Sequence, residues 1–375
     1  MMKKLIVAML MMLTVMFAEK YDSYFDNGNV KPLVFSVMDS KNEADNPNSD
    51  VTTNFHLTLF SGRVKNVLGL QLGLISNDVA NDFIGYDGTF IYSRVGGNYA
   101  GYQTTGLVNR VEGEFTGIQE SGIYSYVGKN LLGFQTAGII GKVMGNVKGA
   151  QFAGIVNETK DVTGAQFSGI VNKADDVEGA QFTGIVNNAK DVTGIQSSGI
   201  INNAGHVKGV QIGLINRSKK LDGIAIGLVN VSEEGSVHAI GWAGGAVDYQ
   251  AGLKFAPNDY WYTILTFGDI QNDDDLGNNH TFQSYMGLQY PVMSKVYVAA
   301  DIGTGIALPY NVEQWENEED IWGIFEARIS VGYKIFDRLT VFGGVSQSYY
   351  GHGDDEKFDD FEDIERTRPF FGIQF

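Results

Sequence analysis

A nine-residue unit, Gly-Ala-Gln-Phe-x-Gly-Ile-Val-Asn, recurs at Gly149 to Asn157, Gly164 to Asn172 and Gly179 to Asn187. Any fold for this chain has to place these copies equivalently. Extending the register gives leading glycines at 69, 85, 101, 117, 133, 149, 164, 179, 194, 209 and 223, with five steps of 16 residues, four of 15 and one of 14. In the three best copies the repeated positions are Gly149, Gln151, Gly154 and Asn157, then Gly164, Gln166, Gly169 and Asn172, then Gly179, Gln181, Gly184 and Asn187. Nine units carry Gln at the third position, with Asp87 and Ala225 as the exceptions. Most units close on Asn, and Ser76, Ser93 and Ser125 are small polar substitutes.

A period of this length is too short for a helix pair and shows no helical apolar stripe, so each unit is expected to be one coil, or one strand plus a turn. Two architectures follow. In a parallel β-solenoid, equivalent residues stack about 4.8 Å apart, and identical Gln and Asn side chains form ladders along the axis. In an antiparallel meander continuous with the C-terminal strands, identical residues do not stack. The near-identity of the three central units favours the solenoid, with Ile170 facing its interior. Three units, Gly69 to Ser76, Gly209 to Asn216 and Gly223 to Asn230, read as lacking one residue before the second glycine. A one-residue deletion flips every later side chain of a continuous strand. A corner at the second glycine absorbs it, because glycine takes up unusual backbone angles. The Gln and Asn positions are expected to be structural ladders, with ligand or sugar contacts as the other reading.

The Gly-x-Gln-x-x-Gly-Leu/Ile-Val-Asn array is preceded by Phe55-His56-Leu57-Thr58-Leu59-Phe60-Ser61-Gly62 and by Val67-Leu68-Gly69-Leu70-Gln71-Leu72-Gly73-Leu74-Ile75. Over about residues 52 to 231 this resembles the bacterial surface-repeat proteins known from spirochaetes. The resemblance implies an exported envelope protein, surface-displayed in some cases, and brings no catalytic residues with it. The C-terminal extension departs from that pattern.

Residues 1 to 18 have the shape of a secretory signal peptide, with Lys3 and Lys4 before an apolar stretch from Leu5 to Ala18. No later stretch reaches the ~18 consecutive apolar residues of a membrane-spanning helix. The absence of cysteine excludes disulfide scaffolds, thiolate zinc sites and thiol nucleophiles. A net charge of -17 without a basic run argues against nucleic acid as a partner. The 48 glycines and 12% aromatic content suit many short strands joined by tight turns rather than a disordered chain.

From residue 236 the repeat gives way to aromatic-rich alternation. Val247, Tyr249, Ala251, Leu253 and Phe255 oppose Asp248, Gln250, Gly252 and Lys254; Phe325, Ala327, Ile329, Val331 and Tyr333 oppose Glu326, Arg328, Ser330, Gly332 and Lys334. Such segments mark transmembrane β-barrels, and eight are expected: 236–243, 246–255, 260–269, 281–290, 295–308, 322–334, 338–349 and 367–375. Short turns at 256–259, 291–294 and 335–337 alternate with long acidic loops at 270–280, 309–321 and 350–366, matching the short periplasmic and long outer connections of such barrels. The chain ends with Phe371, Ile373 and Phe375 on one face, which resembles the C-terminal assembly signal of outer-membrane barrels. A soluble β-sandwich with one apolar face is the other source of such alternation. Counting strands back from a periplasmic C-terminus puts the repeat array on the inner side, in tension with the surface placement that the family resemblance implies.

The expectation is therefore an all-β chain: signal peptide 1–18, N-terminal cap 19–63, β-repeat domain 64–231 and an antiparallel, eight-stranded outer-membrane barrel at 236–375. No catalytic, metal or cofactor residues are assigned. His56, His206, His238, His280 and His352 are isolated in sequence, and a base and nucleophile pair from His280 or His352 with Ser284 or Ser346 has no spacing to support it. Asp273-Asp274-Asp275 and the acidic run from Asp354 to Glu365 read as solvated loops. Gly303-Thr304-Gly305 lacks the lysine of a phosphate loop and reads as a strand. A structural or adhesive envelope role, with outer-membrane lipids, the barrel assembly machinery and a host or matrix ligand as partners, stands beside two alternatives: a small-solute pore and an enzyme acting on envelope lipids.

Overall fold

The computed structural model describes residues 29–40, 43–273, 276–310, 321–336, 338–352 and 364–375. The leader at 1–18 lies outside them. The chain divides into two compact units, 1–199 and 200–375.

The first unit is a parallel solenoid. Each coil holds one long strand bearing the Gly-x-Gln segment and one short strand bearing the closing Asn, for example Val147–Ala153 followed by Val156–Glu158. Long strands pair only with long and short only with short, all parallel, with Gly149 opposite Gly164, Gln151 opposite Gln166 and Asn157 opposite Asn172. An antiparallel meander cannot produce this register, so that alternative falls. The stack begins before the repeat is recognisable. Asn29–Met38 runs parallel to Val51–Val64, which alone pairs with both strands of the next coil, so the parallel ladder extends over 29–63.

The interior carries two kinds of column. One is apolar and includes Val67, Phe83, Tyr99, Phe115, Leu131 and Val147. Within it Phe83, Tyr99 and Phe115 stack at 4.7 and 4.8 Å between ring centroids. The other is amide. Gln119 Nε2 donates to Gln103 Oε1 at 2.9 Å, and Gln135, Gln151, Gln166 and Gln181 each donate to the preceding glutamine at 2.8 Å. The asparagines donate the other way along the axis, Asn157 to Asn172 and Asn172 to Asn187, each at 3.1 Å. Donation from coil to coil is what lets a fully buried polar column persist, with the Oδ1 of Asn157, where the asparagine column starts, left without a donor.

Ile170 corrects the expectation placed on it. It is 39% exposed, whereas Asn172 is fully buried. Gly169 and Ile170 form the corner, the strand resumes at Val171, and alternation from there turns the asparagine inward. The glycines also divide their duties differently from the expectation. The positive φ, +132° at Gly149, belongs to the leading glycine inside the long strand. The second glycine, Gly154, is needed because a Cβ there would lie 2.0 Å from the carbonyl oxygen of Gly138 in the preceding coil.

The supposed deletion in the unit at Gly69 is absent. Gly73 pairs with Thr89 and Asn77 with Ser93, so Asn77, not Ser76, fills the buried closing position. Where the step falls from 16 to 15 residues, the missing residue comes from the turn after the short strand. The inward side chain there shrinks from Val79, Val95, Val111, Val127 and Val143 to Thr159, Ala174 and Ala189, because a tighter turn brings it closer to the core.

In the second unit the last coils precede a closed antiparallel barrel of eight strands: Ser236–Gly244, Tyr249–Ala256, Trp261–Asp273, Gly277–Met293, Val296–Pro309, Trp322–Phe336, Leu339–His352 and Ile364–Gln374. The first and last strands close it, with Ile240 opposite Gln374. The eight-residue units at Gly209 and Gly223 are real, and Gln211 and Asn216 stay buried on either side of Gly213, so the corner absorbs the deletion. The loop expected at 270–280 is largely strand, since Ile270 pairs with Asn279 and Asp273 with Gly277. Polar side chains there prolong the hairpin because its backbone pairing continues regardless of hydropathy.

Candidate functional site

The barrel wall sorts its side chains by alternation. Outside stand Leu253, Phe267, Ile302, Ile329, Val331 and Tyr333; inside are Trp242, Gln250, Tyr285, Glu326 and Arg328. Phe325, Ile329, Val331 and Tyr333 face out and Glu326, Arg328 and Ser330 face in, as the alternation requires. Val247 and Phe255 depart from it and are buried. Val247 precedes the strand, and Phe255 lies at the strand end beside the turn on which the last coils rest.

The lumen is filled. Arg328 Nε donates to Asp301 Oδ1 at 2.6 Å, and the hydroxyl of Tyr262 donates to the other oxygen of the same carboxylate at 2.6 Å. The guanidinium lies over the rings of Tyr285 and Trp242, 3.8 and 4.3 Å from their centroids. The Tyr285 hydroxyl donates to Glu326 at 2.7 Å, and the Ala246 amide donates to the second Glu326 oxygen at 2.8 Å. Lys254 Nζ donates to Gln289 at 2.7 Å and lies 4.0 Å from the centre of the Tyr262 ring. Buried charges persist when paired or hydrogen-bonded: Arg328 is paired with Asp301 across strands, while Glu326 and Lys254 are held by neutral hydrogen-bond partners. Glu326 and Arg328 were legible as the polar face of one strand. Asp301 and Lys254 as their lumen companions were not, because cross-strand register is invisible in a linear pattern; Asp301 lies directly opposite Arg328.

One end of the barrel holds the last coils. Asn258, in the turn between the second and third strands, donates to the carbonyls of Leu221 and Gly223 at 3.3 and 2.8 Å. Trp261 Nε1 donates to Ala225 O at 2.6 Å, and Asn230, the last asparagine of its column, donates to Thr263 at 2.9 Å. The exposed edge of a parallel stack is thereby capped by barrel side chains.

Two buried titratable groups stand in the glutamine column of the first unit. His56 Nδ1 lies 2.8 Å from Gln71 Oε1, and Gln71 Nε2 donates to Asp87 at 3.2 Å. Asp87 also accepts from Gln103 at 3.2 Å, Thr89 at 2.9 Å and Ser93. Burial raises the Asp87 carboxyl above its ordinary range, against the pull of those donors, and burial likewise lowers His56.

The other singled-out residues are dispersed. His206 pairs with Asp222 and His280 with Asp269, at 2.6 and 2.7 Å, while His238 bonds Ser236 and the Phe375 carbonyl. Ser346 lies in the lumen with Arg368 O as its acceptor, and the His352 side chain lies outside the described residues. Among the described contacts His280 pairs with neither Ser284 nor Ser346, whereas His238 Nε2 lies 2.9 Å from Ser236 Oγ and His56 Nε2 lies 3.2 Å from Ser36 Oγ. Asp273 is held by Arg366 rather than solvated, and Asp274, Asp275 and the acidic run from Asp354 to residue 363 lie outside the described residues. Gly303, Thr304 and Gly305 lie within a barrel strand, where a Cβ on Gly303 would meet the Tyr285 ring at 2.2 Å. Phe371, Ile373 and Phe375 are exposed on the barrel exterior.

No family model matches the chain, and no curated protein matches it in sequence. Among solved structures, it is similar to outer membrane protein H (OprH) of P. aeruginosa in DHPC micelles, at 8% identity and a TM-score of 0.28, over 37% of this chain and 97% of that one. It is also similar to the N-terminal β-barrel domain of Pseudomonas aeruginosa OprF, at 11% identity and a TM-score of 0.25, over 38% of this chain and the whole of that one.

Proposed function

We propose that this chain is an outer-membrane repeat protein whose barrel is a plugged anchor and whose solenoid has a structural or adhesive role without catalysis. One observation carries the reading: a closed eight-strand barrel that turns Phe267, Ile302, Ile329 and Val331 outward while packing the Arg328–Asp301 ion pair and aromatic rings into its lumen. An apolar exterior and a polar interior are the sorting that a bilayer imposes. A soluble sandwich buries its apolar face instead.

The filled lumen favours an anchor over the pore alternative. Reconstituted in planar bilayers, the protein is expected to insert without ion conductance, and steady single-channel steps would restore the pore reading. Phe371, Ile373 and Phe375 are proposed as the assembly signal, with the barrel assembly machinery and outer-membrane lipids as partners. Replacing all three with Ser is expected to remove the heat-modifiable form from the outer-membrane fraction, and unchanged migration there would refute this role. The adhesive reading implies a host or matrix ligand, tested by binding of intact cells to immobilised matrix proteins with and without the repeat protein.

A further inference from the structure

The outer face of the long strands in the first unit carries a pattern that the internal ladders do not require. Each coil turns three side chains outward there: the residue before the leading glycine, the one after it and the one after the glutamine. In the coil of Gly164 these are Thr163, Ala165 and Phe167. Moving one coil either way, the third column keeps its phenylalanine, with Phe152 and Phe182 stacked on Phe167 at 4.9 and 5.2 Å. Two coils away it becomes small at both ends, Thr136 and Ser197. The second column does the reverse: alanine at 150, 165 and 180, then the bulky Phe134 and Ile195, 51% and 41% exposed. In size the second and third columns read alike in both directions from Gly164, while the first differs at its ends, where exposed Leu132 stands two coils before and Thr193 two coils after. In charge it is antisymmetric, because Lys148 lies one coil before Thr163 and Glu178 one coil after, both exposed.

An isologous two-fold contact needs a patch complementary to itself, and the opposite charges of Lys148 and Glu178 on either side of the Gly164 coil meet that requirement. We propose that this face binds a second copy of the chain, antiparallel, with the two-fold axis along the long strand of the Gly164 coil. Rotation about that axis preserves position along the strand and reverses the order of coils. Lys148 of each copy then meets Glu178 of the other, Phe152 meets Phe182, and Phe134 meets Ile195. Centring the axis one coil away sets Lys148 against Lys148 or Glu178 against Glu178, so the charges select one register and penalise its neighbours. Five coils about 4.8 Å apart, with long strands about 23 Å in length, offer roughly 550 Å² per copy and roughly 1,100 Å² per pair, just above the ~1,000 Å² of a specific contact. A lipid surface needs apolar area but no such ordering of charge.

The test uses the full chain in detergent and sedimentation equilibrium. The wild type is expected to dimerise. Lys148→Glu and Glu178→Lys, each checked for an unchanged melting temperature, are expected to weaken dimerisation by about tenfold or more. Mixing those two variants is expected to restore a heterodimer, because each copy then meets its opposite charge twice. A monomeric wild type overturns the proposal, as does a dimer indifferent to both substitutions or a mixture that stays monomeric. If the chain proves soluble without detergent, the membrane reading fails and this measurement still stands.

Discussion

Asp87 occupies a glutamine position and does what no glutamine there would do. A carboxylate only accepts, so amides can converge on it from both sides, and Gln71 and Gln103 both donate to it. Replacing Asp87 with Asn sets an NH2 group against those donors and is expected to cost about 1–3 kcal/mol, read from denaturant unfolding at pH 7. Its raised carboxyl favours the fold most at pH values below the ordinary carboxylate range, a contribution lost as the pH rises through the raised value. His56, shifted down, acts oppositely: its contribution is full above about pH 6.5 and lost as the pH falls through its lowered value. His56→Gln, which continues the glutamine column, is therefore expected to lose less melting temperature between pH 7 and 5 than the wild type; an equal loss would clear His56 of any part in acid sensitivity. The amide columns were legible from spacing alone. The outward isoleucine was not, because hydropathy suggests an apolar residue inside, and only the corner geometry turns Asn172 in ahead of it. Ile170→Ser is accordingly expected to change stability by no more than about 0.5 kcal/mol, and Asn172→Ala to cost about 1–3 kcal/mol.

At the level of the coil, the backbone sets the limits. In the leading position Gly164 has a φ of +133°, and an added Cβ would lie 2.0 Å from the carbonyl oxygen of Gly149. Gly164→Ala is expected to cost more than about 2 kcal/mol, since strain of roughly 1–3 kcal/mol is joined by loss of coil spacing, and Thr163→Ala on the outer face to cost little. Equal melting temperatures for the two variants would contradict the assigned register. The repeat showed two glycines per coil but not their separate duties: a linear pattern cannot tell a left-handed backbone from a close contact between coils. The barrel strands were legible to within a few residues for the same reason that the coils were, a fixed period. The hairpin across 270–280 escaped notice because its polar residues and glycine resemble a loop, while Ile270 pairs with Asn279 and Asp273 with Gly277.

For the whole molecule, stability in the barrel rests on charges that its alternation only half revealed. Arg328→Ala leaves the Asp301 carboxylate buried with one hydroxyl partner and is expected to cost about 3–5 kcal/mol, seen as a lower temperature for loss of the heat-modifiable form. An unchanged temperature would mean that the lumen admits enough water to screen that pair. The pattern of polar positions announced a polar interior, but which charges meet depended on strand register, which no single strand encodes. The opposed donation of the two amide columns has a consequence for how long such an array can be. In an α-helix every peptide dipole points the same way, and the end charges act as a macrodipole. In the coils that carry both residues, the glutamine dipoles of Gln166 and Gln181 point toward the N-terminus and those of Asn157 and Asn172 toward the C-terminus. Each added coil of that Gln-and-Asn kind contributes a pair of opposed dipoles, so lengthening the array with such coils adds reach without building up an electric potential at its ends.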